Sequence, residues 1–267
     1  MSIHTKNLGN LELLVADNIP VAHCFTTRLG GVSQGIQEGL NLAIGRGDTG
    51  ENVKTNLRLL STALGFDADK LVLSRQIHSD IVRVVTEADC RGPFHRDYPE
   101  CDALVTNTPG VTLLVFTADC TPILLHDPVT GAVGAVHAGW RGTVSAIAAK
   151  AVQAMADAFG SNPGDIRAAI GPNIGPCHFE TDGEVPAAMI AAFGSDAVGA
   201  FIEQRGSKYH LDLKAINAMI LRRQGVLQIE TSSDCTYCQP DRFWSHRYTA
   251  GQRGSQGALI TCQGVAK

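Results

Sequence analysis

A thiol and an imidazole stand at the two ends of a predicted hairpin. Cys120 precedes the apolar run 123–125, His137 ends the run 132–137, and Asp-Pro-Val-Thr-Gly at 127–131 separates them. Pro fixes φ at the second position of a turn, and Gly permits a positive φ at its end. A loop of two residues would set Cys120 opposite His137, and a loop of four would make them diagonal neighbours on one face. A loop of three would put them on opposite faces.

The first two hairpin registers would create part of a metal site. A thiolate and an imidazole on one face are two of the three protein ligands that a catalytic Zn²⁺ usually takes, with the fourth position left for water or substrate. The third ligand must come from another segment. His78 lies at a break between two strand-like runs, where functional side chains concentrate. The competing interpretation of such a histidine is a hydrogen-bonded side chain with no metal.

A second chemical feature is the segment HAGWRG at 137–142, which leads from a predicted strand into a predicted helix. Backbone N–H groups and the positive end of a helix dipole attract anions at such a turn, and Arg141 stands beside it. A phosphate or carboxylate could bind there. The alternative is a tight turn that needs Gly for its φ angle, and the spacing fits neither a Walker A loop nor a dinucleotide fingerprint.

Short β-branched runs and amphipathic repeats predict the elements that carry these residues. Strands are predicted at 71–73, 81–85, 111–116, 123–125, 132–137, 166–170 and 226–229. Helices are predicted at 144–159, 185–193 and 213–224, each followed by a glycine. With no linker-like stretch, the pattern predicts one mixed α/β domain over residues 1–267.

Composition excludes several classes of protein. The chain has 267 residues, with 22 Lys and Arg against 26 Asp and Glu and a net charge of −4. This balance gives no support for binding nucleic acid or an anionic membrane. The opening residues do not resemble a signal peptide, and no run approaches the roughly 20 apolar residues of a membrane span. We therefore expect a soluble, cytoplasmic protein.

The eight cysteines are scattered along a chain large enough to build its own core, which argues against a disulfide framework. Cys235 and Cys238 form a Cys-x-x-Cys pair, which could be half of a zinc site or a redox pair. The sequence has no second such pair, so we interpret this one as structural.

Eight segments together resemble the YfiH-like family, long described as polyphenol oxidase or laccase-domain proteins. They are FTTRLGGVS (25–33), NL (41–42), QIH (76–78), CDALVT (101–106), TADCTP (117–122), HAGWRG (137–142), IGP (170–172) and FWSHR (243–247). The resemblance implies one α/β domain with a mixed β-sheet core flanked by helices, similar to the catalytic domain of cytotoxic necrotizing factor. It also implies a Zn²⁺ held by His78, Cys120 and His137.

The activity implied by the resemblance is purine nucleoside phosphorolysis. The expected substrates are phosphate and adenosine, inosine, guanosine or methylthioadenosine, with deamination of adenosine as a second reaction. Guanidinium groups bind phosphate in a bidentate fork, and Arg28, Arg141 and Arg247 lie inside the family motifs. Arg28 is the first choice for the phosphate, because its Gly-rich loop supports no strand or helix, and Arg141 is the second. Gln76 is expected to contact the substrate. Solvation at the surface is the alternative for each arginine.

Three other functions remain open. A multicopper laccase needs about ten histidines, many in His-x-His pairs, whereas this chain has nine histidines and no such pair. Copper chemistry is therefore disfavoured. A cysteine hydrolase or amidase would use Cys120 as nucleophile and His137 as base. A binding module would use zinc for structure alone.

Overall fold

The computed structural model describes residues 2–45, 47–94 and 97–265. Within them the chain forms fifteen strands, which are Ile3–Leu8 (β1), Leu11–Ala16 (β2), His23–Thr26 (β3), Leu71–Val72 (β4), Val82–Val84 (β5), Ala103–Thr106 (β6), Thr112–Thr117 (β7), Thr121–His126 (β8), Val133–Ala138 (β9), Arg167–Ile170 (β10), Glu180–Thr181 (β11), Ile202–Arg205 (β12), Lys208–Leu211 (β13), Gln228–Thr231 (β14) and Gln256–Thr261 (β15). The α-helices of the same residues are Gly50–Leu64 (α1), Trp140–Val144 (α2), Ile147–Phe159 (α3), Glu184–Phe193 (α4), Ser195–Val198 (α5) and Leu213–Arg223 (α6).

The strands form two six-stranded sheets and one small sheet. The first sheet has the order β1-β2-β3-β15-β7-β4, the second has the order β14-β10-β8-β9-β6-β5, and the small one is β11-β13-β12. Both large sheets are mixed, because β4 pairs with β7 in parallel in the first, and β14 with β10 and β5 with β6 in the second. The predicted mixed α/β class is confirmed.

The two large sheets face each other and are covered by helices on their outer faces. Val115 of β7 and Leu124 of β8 share one buried cluster between the sheets. Their neighbours in sequence point the opposite way, so Leu114 packs with α1 and Ile123 packs with α3 and α6. This alternation follows from the period of two in a strand. Since both faces are buried, the strands appear in the sequence as continuous apolar runs.

All seven predicted strands are present with shifted ends. The run predicted at 226–229 moves furthest, because β14 covers Gln228–Thr231. The sequence analysis missed β1, β2, β3 and β15, which build most of the first sheet, and it also missed β6 of the second sheet and the whole small sheet. It also missed α1, although Thr49 caps the backbone N–H of Asn52 at its start.

The prediction of one continuous helix over 144–159 was wrong. Ala146 adopts a left-handed conformation with φ of 54°, so α2 ends at Val144 and α3 begins at Ile147. The predicted glycine stop is correct, because Gly160 caps α3 with φ of 72°. The other two predicted helices correspond to α4 and α6. Among the described residues, no helix has both the length and the apolar character needed to cross a bilayer.

Candidate metal centre and substrate cavity

The hairpin formed by β8 and β9 has the register of the four-residue loop. Pro122 pairs with His137 and His126 pairs with Val133, which leaves Cys120 and His137 as diagonal neighbours on one face. Cys120 lies one residue before β8, and His137 lies near the end of β9. Both side chains therefore meet at one end of the second sheet.

His78 reaches the same place from the loop between β4 and β5. The sulfur of Cys120 and one ring nitrogen from each of His78 and His137 all lie within 4.8 Å of one another. The His78 Nε2 atom is 3.8 Å from the Cys120 sulfur, and the two imidazole rings are 5.0 Å apart, edge to face. One sulfur and two nitrogen donors thus converge on a common point.

A buried carboxylate fixes the loop that carries His78. Asp102 accepts hydrogen bonds from the backbone N–H groups of Ile77, His78 and Ser79, at 3.2, 3.0 and 2.7 Å. The Ser79 hydroxyl adds a fourth at 2.6 Å. These contacts hold His78 at φ of 61°, a conformation that non-glycine residues adopt mostly where surrounding structure enforces it.

The same carboxylate orients His137. The Nδ1 atom of His137 lies 2.8 Å from Oδ1 of Asp102, and both side chains are buried. Nδ1 is therefore engaged, and Nε2 is the atom left to face Cys120 and His78. A carboxylate behind a ligating histidine is the usual partner in metal sites, where it fixes the ring and raises its basicity.

Charge is concentrated at the pair formed by Cys120 and His137. Burial alone would raise the pKa of the Cys120 thiol, but the charge of His137 and hydrogen bonds from His137 and His78 outweigh it and lower that pKa to about 6. Burial would likewise lower the pKa of His137, yet the Cys120 thiolate and Asp102 raise it to about 9. Without a metal the pair is a thiolate and an imidazolium, and a metal ion would take the place of the imidazolium proton.

The neighbouring glycine leaves room for these ligands. A Cβ atom at Gly139 would lie 3.0 Å from Cδ2 of His78 and 3.2 Å from the sulfur of Cys120. Any side chain at 139 would therefore displace two ligands. The turn at 137–142, which was predicted as a possible anion site, therefore brings its backbone close to the Cys120 thiol and the His78 imidazole.

Asp119 holds Cys120 from the other side. Its carboxylate accepts a hydrogen bond from the Thr236 hydroxyl and another from the backbone N–H of Arg247, both at 2.6 Å. Asp119 itself has φ of 91°, so the chain turns sharply just before the thiol. Sequence analysis gave no role to Asp119 or to Asp102, although both stand in the family motifs.

The three ligands line a cavity of about 1040 Å³. Its wall carries aromatic side chains and three guanidinium groups, which are Phe94, Tyr98, Phe116, Phe179, Arg75, Arg247 and Arg253. Arg247 donates to the carbonyl oxygens of His178 and Glu180, and its guanidinium lies 5.9 Å from the ring centroid of Phe179. Arg75 forms an ion pair with Glu100. The cavity thus joins a candidate metal site at its floor to an aromatic and cationic wall.

Two of the expected phosphate ligands lie away from this wall. Arg28 donates to the carbonyl oxygens of Pro240 and Glu38, stacks 4.0 Å over the ring of Trp244, and lines a separate shallow pocket. Arg141 is exposed and stacks on Trp140 at 4.2 Å. Neither lines the cavity that contains the ligands. The geometry therefore gives no support to a phosphate role for either arginine. The sequence could not indicate this, because the sequence of a loop does not fix the direction of its side chains.

Gln76 lines the cavity, but its amide is used by the backbone of a neighbouring strand. Its Nε2 donates to the carbonyl of Phe116 and its Oε1 accepts from the N–H of Phe116, both at 2.7 Å. The contact that the structure records for Gln76 is thus one that positions the end of β7.

Fold and site together describe an α/β protein with a candidate metal centre at the floor of a ligand-sized cavity. The solved structure of protein YfiH from Bacillus licheniformis superposes with a TM-score of 0.88 at 34% identity, covering 98% of this chain and 99% of that one. YlmD from Geobacillus stearothermophilus gives 0.88 at 32% identity, covering 98% and 100%.

Sequence comparison agrees with the fold. The family model described as multi-copper polyphenol oxidoreductase laccase matches residues 22–263. A Deinococcus radiodurans protein named purine nucleoside phosphorylase is 43% identical over 250 residues, which cover 94% of this chain and 92% of the relative. The Escherichia coli purine nucleoside phosphorylase YfiH is 38% identical over 228 residues, covering 85% and 88%. This chain belongs to the YfiH-like, laccase-domain family.

Proposed function

We propose that this chain is a zinc-dependent purine nucleoside phosphorylase that also deaminates adenosine. The expected substrates are phosphate and adenosine, inosine, guanosine or methylthioadenosine. The observation that carries the proposal is the convergence of His78, Cys120 and His137 within 4.8 Å at a cavity lined by aromatic and arginine side chains. The names of the relatives from Deinococcus radiodurans and Escherichia coli support the phosphorylase part of the proposal.

Zinc fits the donor set of this site. Three protein ligands of sulfur and nitrogen type with an open fourth position are typical of catalytic Zn²⁺. When bound there, zinc would lower the pKa of a coordinated water to about 7, which is the chemistry that deamination at C6 of a purine requires. Asp102 would keep the proton of His137 on Nδ1, so that Nε2 stays available as a ligand.

Copper is the competing metal, because two histidines and one cysteine are also the ligands of a blue-copper site. Such a site takes a weak axial ligand, usually methionine. No methionine is among the described residues that line this cavity. A wide cavity beside the ligands is also better suited to binding a substrate than to electron transfer.

The cavity suits a nucleoside together with an anion. Its volume of about 1040 Å³ is at the upper end of the roughly 300–1,000 Å³ range of small-molecule sites. Phe94, Phe116 and Phe179 offer apolar faces against which a purine base can stack. Because stacking does not depend on one pattern of ring substituents, the site could accept several different purine bases.

Phosphorolysis requires phosphate to be held in line with C1′ of the ribose. A phosphate oxygen bonds to C1′ while the bond from C1′ to N9 breaks, which yields ribose 1-phosphate and the free base. Of the three arginines expected from the sequence, only Arg247 lines the cavity. We therefore assign the phosphate to Arg247, whose bonds to two carbonyl oxygens fix the guanidinium.

The function is tested by incubating purified protein with adenosine, with and without phosphate, and separating adenine, inosine and hypoxanthine. Adenine should require phosphate, and inosine should form without it. Cys120→Ala should abolish both products. Zinc, and no copper, should be present in metal analysis. Failure to form either product with a zinc-loaded protein would contradict the proposal.

The phosphate clamp is tested in the same assay across a phosphate titration. Arg247→Ala should raise the KM for phosphate and slow phosphorolysis by roughly 10²-fold, the order expected when positioning is lost, while deamination falls much less. Arg58→Ala, at an exposed arginine of α1, is the control. A larger effect on the KM for phosphate in Arg28→Ala than in Arg247→Ala would return the role to Arg28.

A cysteine hydrolase is the second candidate, because Cys120, His137 and Asp102 also have the contacts of a nucleophile, base and orienting acid. That reaction has no use for His78, which three backbone bonds hold against the thiol. An alkylation-sensitive enzyme without metal would favour the hydrolase. Zinc that is lost in His78→Ala together with activity would exclude it.

A further inference from the structure

We propose that Cys177, His178, Cys235 and Cys238 form a second zinc site, with four protein ligands and a structural role. Cys177 and His178 follow β10 in sequence, and the Cys-x-x-Cys pair follows β14. The ligand atoms of all four side chains lie within 4.8 Å of one another. The Cys-x-x-Cys pair thus meets an adjacent Cys-His pair from a distant segment, a combination that no local spacing in the sequence reveals.

The distances match the edges of a zinc tetrahedron. The sulfurs of Cys177 and Cys238 are 3.6 Å apart, and the sulfur of Cys238 is 3.3 Å from Nδ1 of His178. Bond lengths of about 2.3 Å to sulfur and about 2.0 Å to nitrogen give tetrahedral edges of roughly 3.8 Å between sulfurs and roughly 3.5 Å between sulfur and nitrogen. A disulfide would bring two sulfurs to about 2.05 Å, and all three cysteines here are unbridged.

The surrounding backbone holds the buried member of the set. The N–H of Gly175 donates to the sulfur of Cys235 at 3.1 Å, and the N–H of Thr236 donates to the carbonyl of Asn173 at 2.9 Å. A Cβ at Gly175 would lie 3.3 Å from the sulfur of Cys177 and 3.2 Å from the Cβ of Cys235. The two ligand-bearing segments are therefore packed as closely as a glycine allows.

Two further contacts favour a metal ion bound by thiolates, one by orienting the imidazole and the other by offsetting negative charge. The ring of Tyr237 stacks on His178 with centroids 4.1 Å apart and 17° between the planes, which fixes the imidazole. Three thiolates around a divalent ion leave one net negative charge. The buried ammonium of Lys214, which donates to the carbonyl of Asp234 at 2.7 Å, interacts favourably with Cys235 and Cys177.

The number of ligands separates the two sites. Three protein ligands leave a position for substrate, whereas four close the coordination sphere and are typical of structural zinc. The second site also joins two segments that support the substrate cavity. Thr236, between its cysteines, donates to Asp119, and the carbonyl of His178 accepts from Arg247. Zinc here would fix the wall that carries the proposed phosphate ligand.

The inference is tested by the zinc content of the purified chain, measured by native mass spectrometry and elemental analysis. The wild type should hold two zinc ions. Cys238→Ser and Cys177→Ser should each hold one, Cys120→Ala should hold one, and Cys120→Ala combined with Cys238→Ser should hold none. Cys90→Ser, at a free cysteine outside both clusters, should retain two.

A second measurement does not depend on the folding of variants that change the second cluster. Cys120→Ala reconstituted with Co²⁺ should show the thiolate charge-transfer absorption of a tetrahedral site, because the second cluster is intact in that protein. A single zinc in the wild type that Cys120→Ala removes and Cys238→Ser retains would overturn the inference. So would a disulfide between Cys177 and Cys238 in protein purified without air. Neither result depends on whether the chain cleaves nucleosides.

Discussion

At the scale of single residues, Asp102 joins two of the three segments that bring ligands together. It accepts from the backbone of 77–79 and faces Nδ1 of His137. The burial of this carboxylate would raise its pKa, but its bonds to His137 and Ser79 lower it below the usual range. Asp102 is therefore a charged acceptor at neutral pH.

Asp102→Asn should weaken zinc binding at the first site by roughly 10- to 100-fold. The amide would offer a donor to groups that are themselves donors, so the His78 loop and the His137 ring lose their common anchor. Zinc retention against a competing chelator measures the effect. Asp127→Asn, at a buried carboxylate beyond the other end of β8, is the control, and equal retention by the two variants would contradict the prediction.

Cys120 should be unusually reactive when the first site is metal-free. Its pKa is lowered to about 6, so the thiolate fraction rises through pH 6 and is nearly complete at pH 7.5. The rate of alkylation by iodoacetamide should follow that curve, and added zinc should suppress it. Cys90, whose pKa burial raises, is the internal comparison. Alkylation of Cys120 that begins only near pH 9 would show that no thiolate is stabilised.

The sequence reveals ligands better than it reveals the residues that position them. Cys120 and His137 could be paired from the hairpin because strand period and turn chemistry are local. Asp102 and Asp119 carry no such signature, since their partners are backbone N–H groups and a hydroxyl at distant positions. Arg28 lies in a glycine-rich loop, but only the folded chain reveals that its guanidinium turns towards Trp244.

At the scale of elements, the turn from β9 into α2 contains a glycine with common backbone angles and almost no space for a side chain. Gly139 has φ of −69°, which any residue can adopt, yet a Cβ there would meet His78 and Cys120. Gly160, at the end of α3, has the opposite properties, with φ of 72° and open space around it. A substitution at Gly139 thus tests crowding at the ligands alone, and a substitution at Gly160 tests backbone strain alone.

Gly139→Ala should therefore reduce zinc affinity and activity at least 10-fold with little change in the Tm of the metal-free protein. Gly160→Ala should leave zinc binding unchanged and lower stability by about 1 kcal/mol, the cost of a left-handed conformation for a residue with a Cβ. Zinc titration and thermal unfolding of both variants measure these effects. A fall in Tm without loss of zinc in Gly139→Ala would mean that the ligands can move aside.

Elements were predictable where both faces of a strand are buried, and less so elsewhere. The runs of β7, β8 and β9 stand out because apolar residues fill the centre of each strand. Strand β1 is largely exposed and polar, so it has no apolar run, although the two residues Gly9 and Asn10 that join it to β2 are a local hairpin signal. The break between α2 and α3 falls at Ala146, a residue that normally favours a continuous helix. Packing overrides propensity at that position.

At the scale of the whole molecule, acidification should lower the free energy of unfolding through His126, a histidine buried at the end of β8. Burial, and the charge of Arg167, lower the pKa of His126 to about 4. The unfolded chain takes up this proton near pH 6.5 and the folded chain only near pH 4. The contribution to stability is therefore complete above pH 6.5 and is lost as the pH drops from there to 4, by an amount on the order of 3 kcal/mol.

His126→Gln should flatten the dependence of unfolding free energy on pH between 6.5 and 4. Denaturant unfolding of both proteins across this range measures the difference, and any contribution from metal release is common to the two. The sign is decisive here, because a stabilising charge on His126 would make the wild type gain stability on acidification. Identical slopes in the two proteins would exclude His126 as the group responsible.

The burial of β9 on both faces has a consequence for timescales. Every residue of that strand is buried, so its amide protons can exchange with solvent only when the molecule opens globally. The cavity wall opposite includes a loop whose exposed part, 246–253, should open locally and more often. His137, which β9 carries, should therefore keep its position for the lifetime of the folded molecule, whereas the exposed loop that carries Arg247 should rearrange many times within that lifetime.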